Sequence, residues 1–259
     1  MTKALFFDID GTLVSFNTHE IPVSTVSALE RAKARGVRIF IATGRPVLFI
    51  NNLGSISHLI DGYMTTNGGY CFIGDDTVCL HTIAPADVKT VTDMCREQHT
   101  GCVIVGRHKI SALYPEKMEY IMQNLLRTDY HTWMSPEEEV LRDDILQLTP
   151  FFDKQQEDAV MPLLGSCTAA RWYPDFVDIT ARGADKGRGL EAMAAYLGIG
   201  IADTMAFGDG GNDIPILRKA GIGVVMGNAT DEVKAEGDYV TSSVDDDGVL
   251  NALTHFGVI

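Results

Sequence analysis

Two aspartates near the N-terminus have the type and spacing that a catalytic site needs. The apolar run Leu5–Phe7 leads directly into the segment D-I-D-G-T, which places Asp8 and Asp10 two positions apart. Residues at i and i+2 of a strand point the same way, and Gly11 marks a turn, so both carboxylates are expected to face solvent together. The same spacing also fits a strand end with merely solvated acids.

Adjacent carboxylates repel each other unless a cation lies between them. Mg²⁺ takes oxygen ligands, and a carboxylate beside such a metal can attack an electrophile that the metal also holds. Phosphate monoesters suit this chemistry. Asp8 and Asp10 therefore predict a site for phosphoryl transfer, provided that other residues bind the phosphate and complete the metal site.

Alternating strands and helices must position this pair, and the pattern favours a parallel sheet with helices on its faces. A helix is expected from Ser24 to about Arg35, followed by a strand at Val37–Ala42. A further helix is expected after Pro46, because proline fits a first helical turn. A hairpin is expected between Tyr70–Ile73 and Val78–Leu80.

A second group of candidate residues, Thr43, Gly44 and Arg45, follows the strand Val37–Ala42. Open α/β sheets bind ligands at the carboxyl ends of their strands. The Thr43 hydroxyl and the backbone N–H groups could hold phosphate oxygens there. A Thr-Gly pair is also common in an ordinary turn that enters a helix.

Two further segments near the C-terminus add a cation and more acids. Lys186 stands at the expected start of a helix running from Asp185 to Leu197, where it could balance Asp8, although a solvated lysine fits the local sequence too. The apolar run Met205–Phe207 leads into G-D-G-G-N-D, which contains Asp209, Asn212 and Asp213. Asp209 could complete a metal site, and the other two could orient its neighbours.

Between these segments the pattern changes to an inserted α/β unit. We expect a core formed by residues 1–81 and 184–259 and an insert formed by residues 82–183. Within the insert, turns are expected near 106–108 and 173–175, and helices near Pro85, at 115–127 and at 154–160. After the insert, a helix is expected up to Ala220 and a strand at Ile222–Val225.

Composition excludes several classes of partner. The formal net charge is −14, so a nucleic acid or an anionic membrane is not an expected partner. The five cysteines contain no C-x-x-C pair, which indicates reduced thiols rather than a disulfide framework or a zinc site. With no apolar run of membrane-spanning length and no signal-peptide pattern, a cytoplasmic protein is expected. No obligatory protein partner is evident.

Taken in order, these motifs resemble the haloacid dehalogenase-like phosphotransferase superfamily. Its pattern is D-x-D-G-T, then Thr or Ser, then Lys, then G-D-x-x-N-D, and all four parts are present. The insert resembles the large α/β cap of the Cof-type sugar phosphatase branch, and Asn67-Gly68 matches that branch. The resemblance implies a Rossmann-like, doubly wound parallel-sheet core with an inserted cap that closes over the site and sets substrate specificity.

The resemblance also implies a role for each residue. Asp8 would be the nucleophile, Asp10 the general acid and base, and Lys186 the cation that steadies the transferring group. Asp8, Asp10, through its backbone carbonyl, and Asp209 would hold Mg²⁺. The remaining residues would bind phosphate or substrate or support the site from behind: Thr43, Gly44, Arg45 and Asn212 in the first role, Asn67 and Asp213 in the second.

The expected function is a Mg²⁺-dependent phosphatase acting on small phosphomonoesters, chiefly sugar phosphates, through an aspartyl-phosphate. A phosphosugar mutase of the same superfamily would use the same motifs, and a non-catalytic phosphosugar sensor could retain the phosphate-binding groups. A phosphorylated receiver domain is disfavoured because it would not need the insert. Candidate leaving-group contacts in the insert are His108, Arg171, Trp172 and Tyr173.

Overall fold

The computed structural model describes residues 2–120 and 134–259, apart from the side chain of Trp172. The described chain divides into two compact units. The first contains residues 1–45, 50–80 and 184–259, and the second contains residues 46–49 and 81–183.

The first unit is built on one eight-stranded sheet. Numbered along the chain, its strands are β1 Ala4–Phe7, β2 Arg38–Ala42, β3 Gly62–Thr65, β4 Tyr70–Ile73, β5 Asp76–Leu80, β11 Thr204–Gly208, β12 Ile222–Val225 and β13 Tyr239–Val240. The strand order in the sheet is β13-β12-β11-β1-β2-β3-β4-β5. Neighbouring strands from β13 to β3 in this order are parallel, whereas β4 pairs antiparallel with both β3 and β5.

Helices cover both faces of this sheet, because β1 alternates its buried side chains between two apolar clusters. Leu5 and Phe7 pack into the cluster that includes Leu29 and Leu253, whereas Phe6 packs into the cluster that includes Leu190. The described helices of this unit are α1 Val23–Ala34, α5 Lys186–Leu197, α6 Ile214–Lys219, α7 Asp231–Lys234 and α8 Gly248–His255.

The chain order of the strands reverses between β1 and β11. From β1 the chain proceeds to β2 on one side, whereas β11 pairs with β1 on the other. Such a switch point opens a crevice at the carboxyl ends of the two strands, where open α/β sheets bind ligands. Asp8 directly follows β1 and Asp209 directly follows β11, so the fold brings these two aspartates to the same crevice.

The second unit contains a five-stranded antiparallel sheet. Its strands are β6 Cys102–Gly106, β7 Ile110–Leu113, β8 Ile145–Pro150, β9 Cys167–Tyr173 and β10 Phe176–Ala181, and its described helices are α2 Pro85–Gln98, α3 Glu137–Val140 and α4 Lys154–Val160. The strand order in the sheet is β7-β6-β8-β10-β9. Helices α2 and α4 contribute Val91 and Val160 to the apolar cluster on one face of this sheet.

The α/β fold class with a parallel-sheet core is confirmed, but two local predictions are wrong. The segment after Pro46 forms only a single 3₁₀ turn at Val47–Phe49 instead of a helix. Residues 46–49 and 81, which the sequence assigned to the core, belong to the second unit; Phe49 packs beside Val103 in an apolar cluster of that unit.

One predicted helix lies only partly within the described residues. The segment 115–127 begins with a 3₁₀ turn at Pro115–Lys117, and its part from residue 121 lies outside the described residues. Among the helices of the described chain, none has the length and apolar character needed to cross a membrane.

Candidate active site

Lys186 is the centre of the charge cluster at the switch point. Its Nζ donates to Asp8 Oδ1 at 2.7 Å and to Asp213 Oδ1 at 2.5 Å, and its side chain is completely buried. Lys186 is the first residue of α5, and the Asp185 carboxylate caps that helix by accepting from the Arg188 N–H. A buried cation between two carboxylates is stable only because all three groups are paired.

Asp213 supports the cluster from the loop after β11. Its Oδ2 accepts from the backbone N–H groups of Asp209 and Gly210 at 3.0 and 2.9 Å, while Oδ1 is held by Lys186. Both oxygens are thus occupied by donors. Asp213 therefore fixes the conformation of the loop that carries Asp209.

Two side chains orient the Asp209 carboxylate. The Thr12 hydroxyl donates to Oδ1 at 2.9 Å, and the Asn228 amide donates to Oδ2 at 3.2 Å and to the Gly11 carbonyl at 2.9 Å. Gly11 has φ +84°, and a Cβ there would lie 2.2 Å from Asp209 Oδ2. Only glycine allows the D-I-D-G-T turn to approach Asp209 this closely.

The carboxylates at this crevice fit a divalent cation. Among the described residues, Asp8, Asp209 and Asp213 each offer an oxygen within 4.8 Å of the others. Three acids around the single ammonium of Lys186 leave negative charge that a hard cation with oxygen ligands would neutralise. Asp213 is the most buried of the three and is already held by the Lys186 ammonium and two backbone N–H groups. Asp8 and Asp209 therefore stay the carboxylates predicted to bind the metal.

Burial changes the acidity of these groups. Burial raises the pKa of Asp8, against the lowering effect of Lys186, and it raises the pKa of Asp209 to about 6. Burial lowers the pKa of Lys186, but Asp213 and Asp8 outweigh it, so the pKa of Lys186 is raised and the side chain stays charged. The site thus holds one permanent cation and acids that bind protons when no metal is present.

Asp10 is bound by Arg45 rather than by Lys186. The Arg45 guanidinium donates two hydrogen bonds to Asp10, with Nε 2.7 Å from Oδ2 and Nη2 2.6 Å from Oδ1. Both side chains are about one-third exposed, at 29% for Arg45 and 36% for Asp10. The sequence predicted that Arg45 contacts substrate, and this stays a prediction. The structure adds the contact of Arg45 with Asp10, which the sequence did not predict.

The loop Thr43–Arg45 lies at the carboxyl end of β2, as the sequence predicted. Thr43 is buried, and its Oγ1 accepts from the Arg45 N–H at 3.1 Å, so its own proton can be donated to a ligand. A Cβ at Gly44 would lie 3.1 Å from the Asn67 side chain. The absence of a side chain at Gly44 therefore leaves its backbone accessible beside Asn67.

A strained turn at Thr66–Gly68 joins this loop to the rest of the site. Its three residues all have positive φ, at 48°, 53° and 88°. The N–H groups of Thr66 and Asn67 donate to the carbonyls of Arg45 and Thr43 at 3.1 and 3.0 Å. Strain of this kind persists where surrounding contacts hold it, and it is common at ligand sites.

Asn67 connects the turn to the loop after β11. Its Oδ1 accepts from the Asn212 amide at 3.0 Å. The two asparagines that the sequence placed in different motifs thus form a direct pair. Their roles in phosphate binding and in support of the site remain predictions.

The sequence reasoning missed Asn228, and it assigned no role to Thr12. Asn228 follows β12 in the segment M-G-N-A, and its Oδ1 also accepts from the Val244 N–H at 3.0 Å. A polar residue after an apolar strand could have indicated it. The contact with Asp209 could not, because it depends on the pairing of β11 with β12.

Three of the four candidate contacts in the second unit have structural partners there. Arg171 pairs with Glu157 at 2.7 Å and donates to two backbone carbonyls, and Tyr173 stacks on Phe176. The His108 N–H donates to Asp143 Oδ2 at 2.9 Å. The side chain of Trp172 lies outside the described residues. A role for them in substrate recognition stays a prediction.

Comparison with known proteins agrees with this geometry. The sequence profile of the family described as haloacid dehalogenase-like hydrolase matches residues 5–253. A solved structure of a haloacid dehalogenase subclass IIB sugar phosphatase is 46% identical, with a TM-score of 0.89 and coverage of 100% of both chains.

Two curated relatives carry different substrate names. The pyridoxal phosphate phosphatase YbhA of Escherichia coli is 29% identical over 94% of this chain and 96% of its own length. The 5-amino-6-(5-phospho-D-ribitylamino)uracil phosphatase YcsE of Bacillus subtilis is 26% identical over 98% of this chain and 95% of its own. The predicted enzyme class, a phosphoric monoester hydrolase, and the predicted family are confirmed. This chain belongs to the haloacid dehalogenase-like hydrolases.

Proposed function

We propose that this enzyme hydrolyses small phosphomonoesters, chiefly sugar phosphates, with Mg²⁺ and through an aspartyl-phosphate at Asp8. The observation that carries the proposal is the buried Lys186, which binds Asp8 and Asp213 beside the Asp209 carboxylate. A merely structural ion pair at a strand end would not require the additional acid or the glycine that packs against it.

In the proposed mechanism, Asp8 attacks the phosphorus atom. Lys186 holds Oδ1 of Asp8, so we assign attack to Oδ2. The phosphorus–oxygen bond to the leaving group breaks, and Asp10 gives its proton to the departing oxygen. Asp10 then takes a proton from the water that attacks the phosphorus, which releases phosphate and restores the Asp8 carboxylate.

The remaining residues bind and orient the transferring group. Thr43 and the Gly44 N–H would donate to phosphoryl oxygens, and Lys186 would neutralise charge that develops on them. Bound Mg²⁺ would be held by Asp8 and Asp209, with the Asp10 carbonyl as a further ligand, and would supply charge neutralisation and orientation.

Arg45 would set the position of Asp10. A carboxylate whose two oxygens are both bound by a guanidinium is not free to turn towards a departing oxygen. We therefore propose that Arg45 releases Asp10 when substrate binds and contacts the substrate itself. The exposed character of both side chains supports this exchange.

The proposed substrate class is supported by a solved sugar phosphatase structure and by the composition of the chain. The relative at 46% identity is a sugar phosphatase, whereas relatives below 30% act on other small phosphomonoesters. A small phosphorylated metabolite needs only local positive charge, which agrees with a net charge of −14. We retain the proposal that residues 82–183 set the choice among such substrates.

The proposal is tested by phosphate release from a panel of sugar phosphates and other small phosphomonoesters, with Mg²⁺ or EDTA. We expect release that requires Mg²⁺ and that is abolished in Asp8→Asn, which removes the nucleophile with little change in volume. Asp245→Asn, which alters an exposed acid away from the cluster, is the matched control and should retain activity.

Other outcomes would redirect the assignment. Isomer conversion of a sugar phosphate without net phosphate release would identify a mutase. Binding without either reaction, in a folded and metal-loaded protein, would indicate a sensor and would contradict the proposal.

A further inference from the structure

Two cysteines face each other directly across the β4–β5 hairpin. Cys71 of β4 and Cys79 of β5 are register partners in this antiparallel pair. Directly opposite residues of an antiparallel pair have Cβ atoms about 4.5 to 5.5 Å apart, and a disulfide needs about 3.5 to 4.5 Å. A small approach of the two strands would therefore bring the sulfurs into bonding distance.

The two thiols already interact. They share one hydrogen-bond acceptor, because each Sγ donates to the Gly68 carbonyl at 3.9 Å. Cys71 is completely buried, whereas Cys79 is partly exposed. One sulfur can thus be reached from solvent, and the other stands ready behind it to form the second half of a bond.

The Gly68 carbonyl is the point at which this pair meets the proposed active site. Gly68 ends the strained turn Thr66–Gly68, whose backbone donates to the carbonyls of Thr43 and Arg45. A Cβ at Gly68 would lie 2.4 Å from the Asp185 carbonyl, so the turn is also packed tightly against the residue before Lys186. A shift of this turn would therefore move both the loop Thr43–Arg45 and Lys186.

We infer that Cys71 and Cys79 form a reversible disulfide that weakens the site through the turn Thr66–Gly68. The oxidant is of the disulfide class, such as glutathione disulfide. Cys79 as thiolate attacks one sulfur of the oxidant and releases one thiolate. Cys71, after losing its proton, then attacks Cys79 Sγ and releases the second. One oxidant molecule is reduced to two thiols, and the protein loses two protons and two electrons.

The acidity of the two thiols agrees with this order of events. The neighbouring Cys71 thiol lowers the pKa of Cys79, and the neighbouring Cys79 thiol, together with burial, raises the pKa of Cys71. The more acidic thiol is thus the accessible one, as attack on an external disulfide requires.

Oxidation would remove both S–H groups from the Gly68 carbonyl. Thr66 already has a buried Oγ1 with no hydrogen-bond partner among the described residues, and its positive φ is unusual for a β-branched residue. The turn is held by its neighbours, so losing two donors and moving two strands should allow it to relax. Asn67 and the Thr43–Arg45 loop would move with it.

The first test detects the bond itself and does not depend on turnover. The full chain is incubated with glutathione disulfide, free thiols are blocked by alkylation, and peptides are mapped by mass spectrometry. We expect a peptide pair joined through Cys71 and Cys79, and its loss on treatment with dithiothreitol. Absence of this cross-link, with both cysteines alkylated or bound to glutathione, would overturn the inference.

The chain provides an internal control. Cys95 and Cys102 are also close enough for one thiol to affect the pKa of the other, but both are completely buried in the second unit. They should remain reduced under the same conditions. A 95–102 cross-link without a 71–79 cross-link would contradict the argument from exposure and register.

The second test concerns the effect on the site and rests on the proposed phosphatase function. Oxidation should lower kcat/KM by about fivefold or more, the size expected for one lost hydrogen bond, and dithiothreitol should restore it. Cys79→Ser should resist oxidant, whereas Cys167→Ser should respond like the wild type. If reduced enzyme is inactive, the proposed function fails; if the cross-link forms without changing kcat/KM, only the link to the site fails.

Discussion

At the scale of single residues, Lys186 is the group on which the candidate site depends most. It is completely buried and binds two carboxylates that have few other ways to balance their charge. Removing one partner of a buried ion pair leaves an uncompensated charge, which is far more costly than removing a pair at the surface. The same side chain therefore serves both the fold and the proposed chemistry.

Lys186→Met should lower the free energy of unfolding by about 3 to 5 kcal/mol, because Asp8 and Asp213 are then left without their cation. Urea denaturation followed by circular dichroism measures this change. Lys219→Met is the matched control, since Lys219 pairs with Glu191 at the surface and its loss should cost less than about 1 kcal/mol. Equal losses in the two variants would contradict the account of the buried triad.

At the scale of secondary-structure elements, the turn between β3 and β4 positions several parts of the site at once. Its backbone contacts the Thr43–Arg45 loop, its Asn67 side chain pairs with Asn212, and Gly68 packs against the start of α5. The turn holds these contacts in a backbone conformation that non-glycine residues rarely adopt.

Gly68→Ala tests this arrangement. A Cβ at Gly68 would meet the Asp185 carbonyl at 2.4 Å, so alanine must displace the turn or the start of α5. We expect reduced phosphatase activity and a stability loss larger than the cost of positive φ alone, which is about 1 to 2 kcal/mol.

Gly74→Ala separates strain from close packing. Gly74 also has positive φ, at +56°, and a Cβ there would meet nothing within 4 Å. In this variant the free energy of unfolding should fall only by the cost of positive φ, and phosphatase activity should be unchanged. If it loses as much activity as Gly68→Ala, contact between Gly68 and Asp185 is not the cause.

The elements also show what the sequence could and could not predict. Strands β1, β2 and β11 were predictable because each is a short apolar run followed by polar residues with a distinctive pattern. The two-residue strand β13 carries no such signal and was not predicted. The helix expected after Pro46 was wrong because the local preference of proline for a first turn does not determine whether the next residues continue as helix.

The candidate site was predictable in its residues but not in its partners. The motifs brought Asp8, Lys186 and Asp209 to attention through their types and order. The contact of Arg45 with Asp10, the support of Asp209 by Asn228 and the opposition of Cys71 and Cys79 all depend on strand pairing and turn geometry. Such contacts join positions far apart in the chain or depend on exact register, so residue type alone cannot reveal them.

At the scale of the whole molecule, metal binding should be linked to pH and to stability. Burial raises the pKa of Asp209 from 3.8 to about 6. The folded, metal-free protein therefore binds a proton here more tightly than the unfolded chain. This contribution to stability is complete below pH 3.8 and is lost as the pH rises through about 6.

Bound metal reverses this dependence because it requires the ionised carboxylate. Below the pKa of Asp209, the affinity for Mg²⁺ should rise with pH by about tenfold per pH unit for each carboxylate that must lose its proton. Because the pKa of Asp8 is raised as well, the increase should continue above the pKa of Asp209. Accordingly, Mg²⁺ should raise Tm more at about pH 7.5 than at about pH 5. Calorimetric titration and thermal unfolding measure both effects.

Asp209→Asn is the control for this linkage and should lose most of the effect of Mg²⁺ on Tm. An unchanged Mg²⁺ affinity between about pH 5 and pH 7 in the wild type would contradict the assignment of Asp209 as a ligand.

The central claim is that Asp8 carries the phosphoryl group, and rapid acid quenching followed by peptide mass spectrometry tests it most directly. Asp10→Asn should slow both chemical steps, by about 10² to 10⁴-fold for a general acid or base. With an aryl phosphate, whose leaving group needs little protonation, the second step should become the slower one in this variant. The account predicts that a phosphorylated peptide containing Asp8 accumulates in Asp10→Asn and is absent in Asp8→Asn. Turnover by an enzyme in which Asp8 is never phosphorylated, or phosphorylation at another residue, would contradict it.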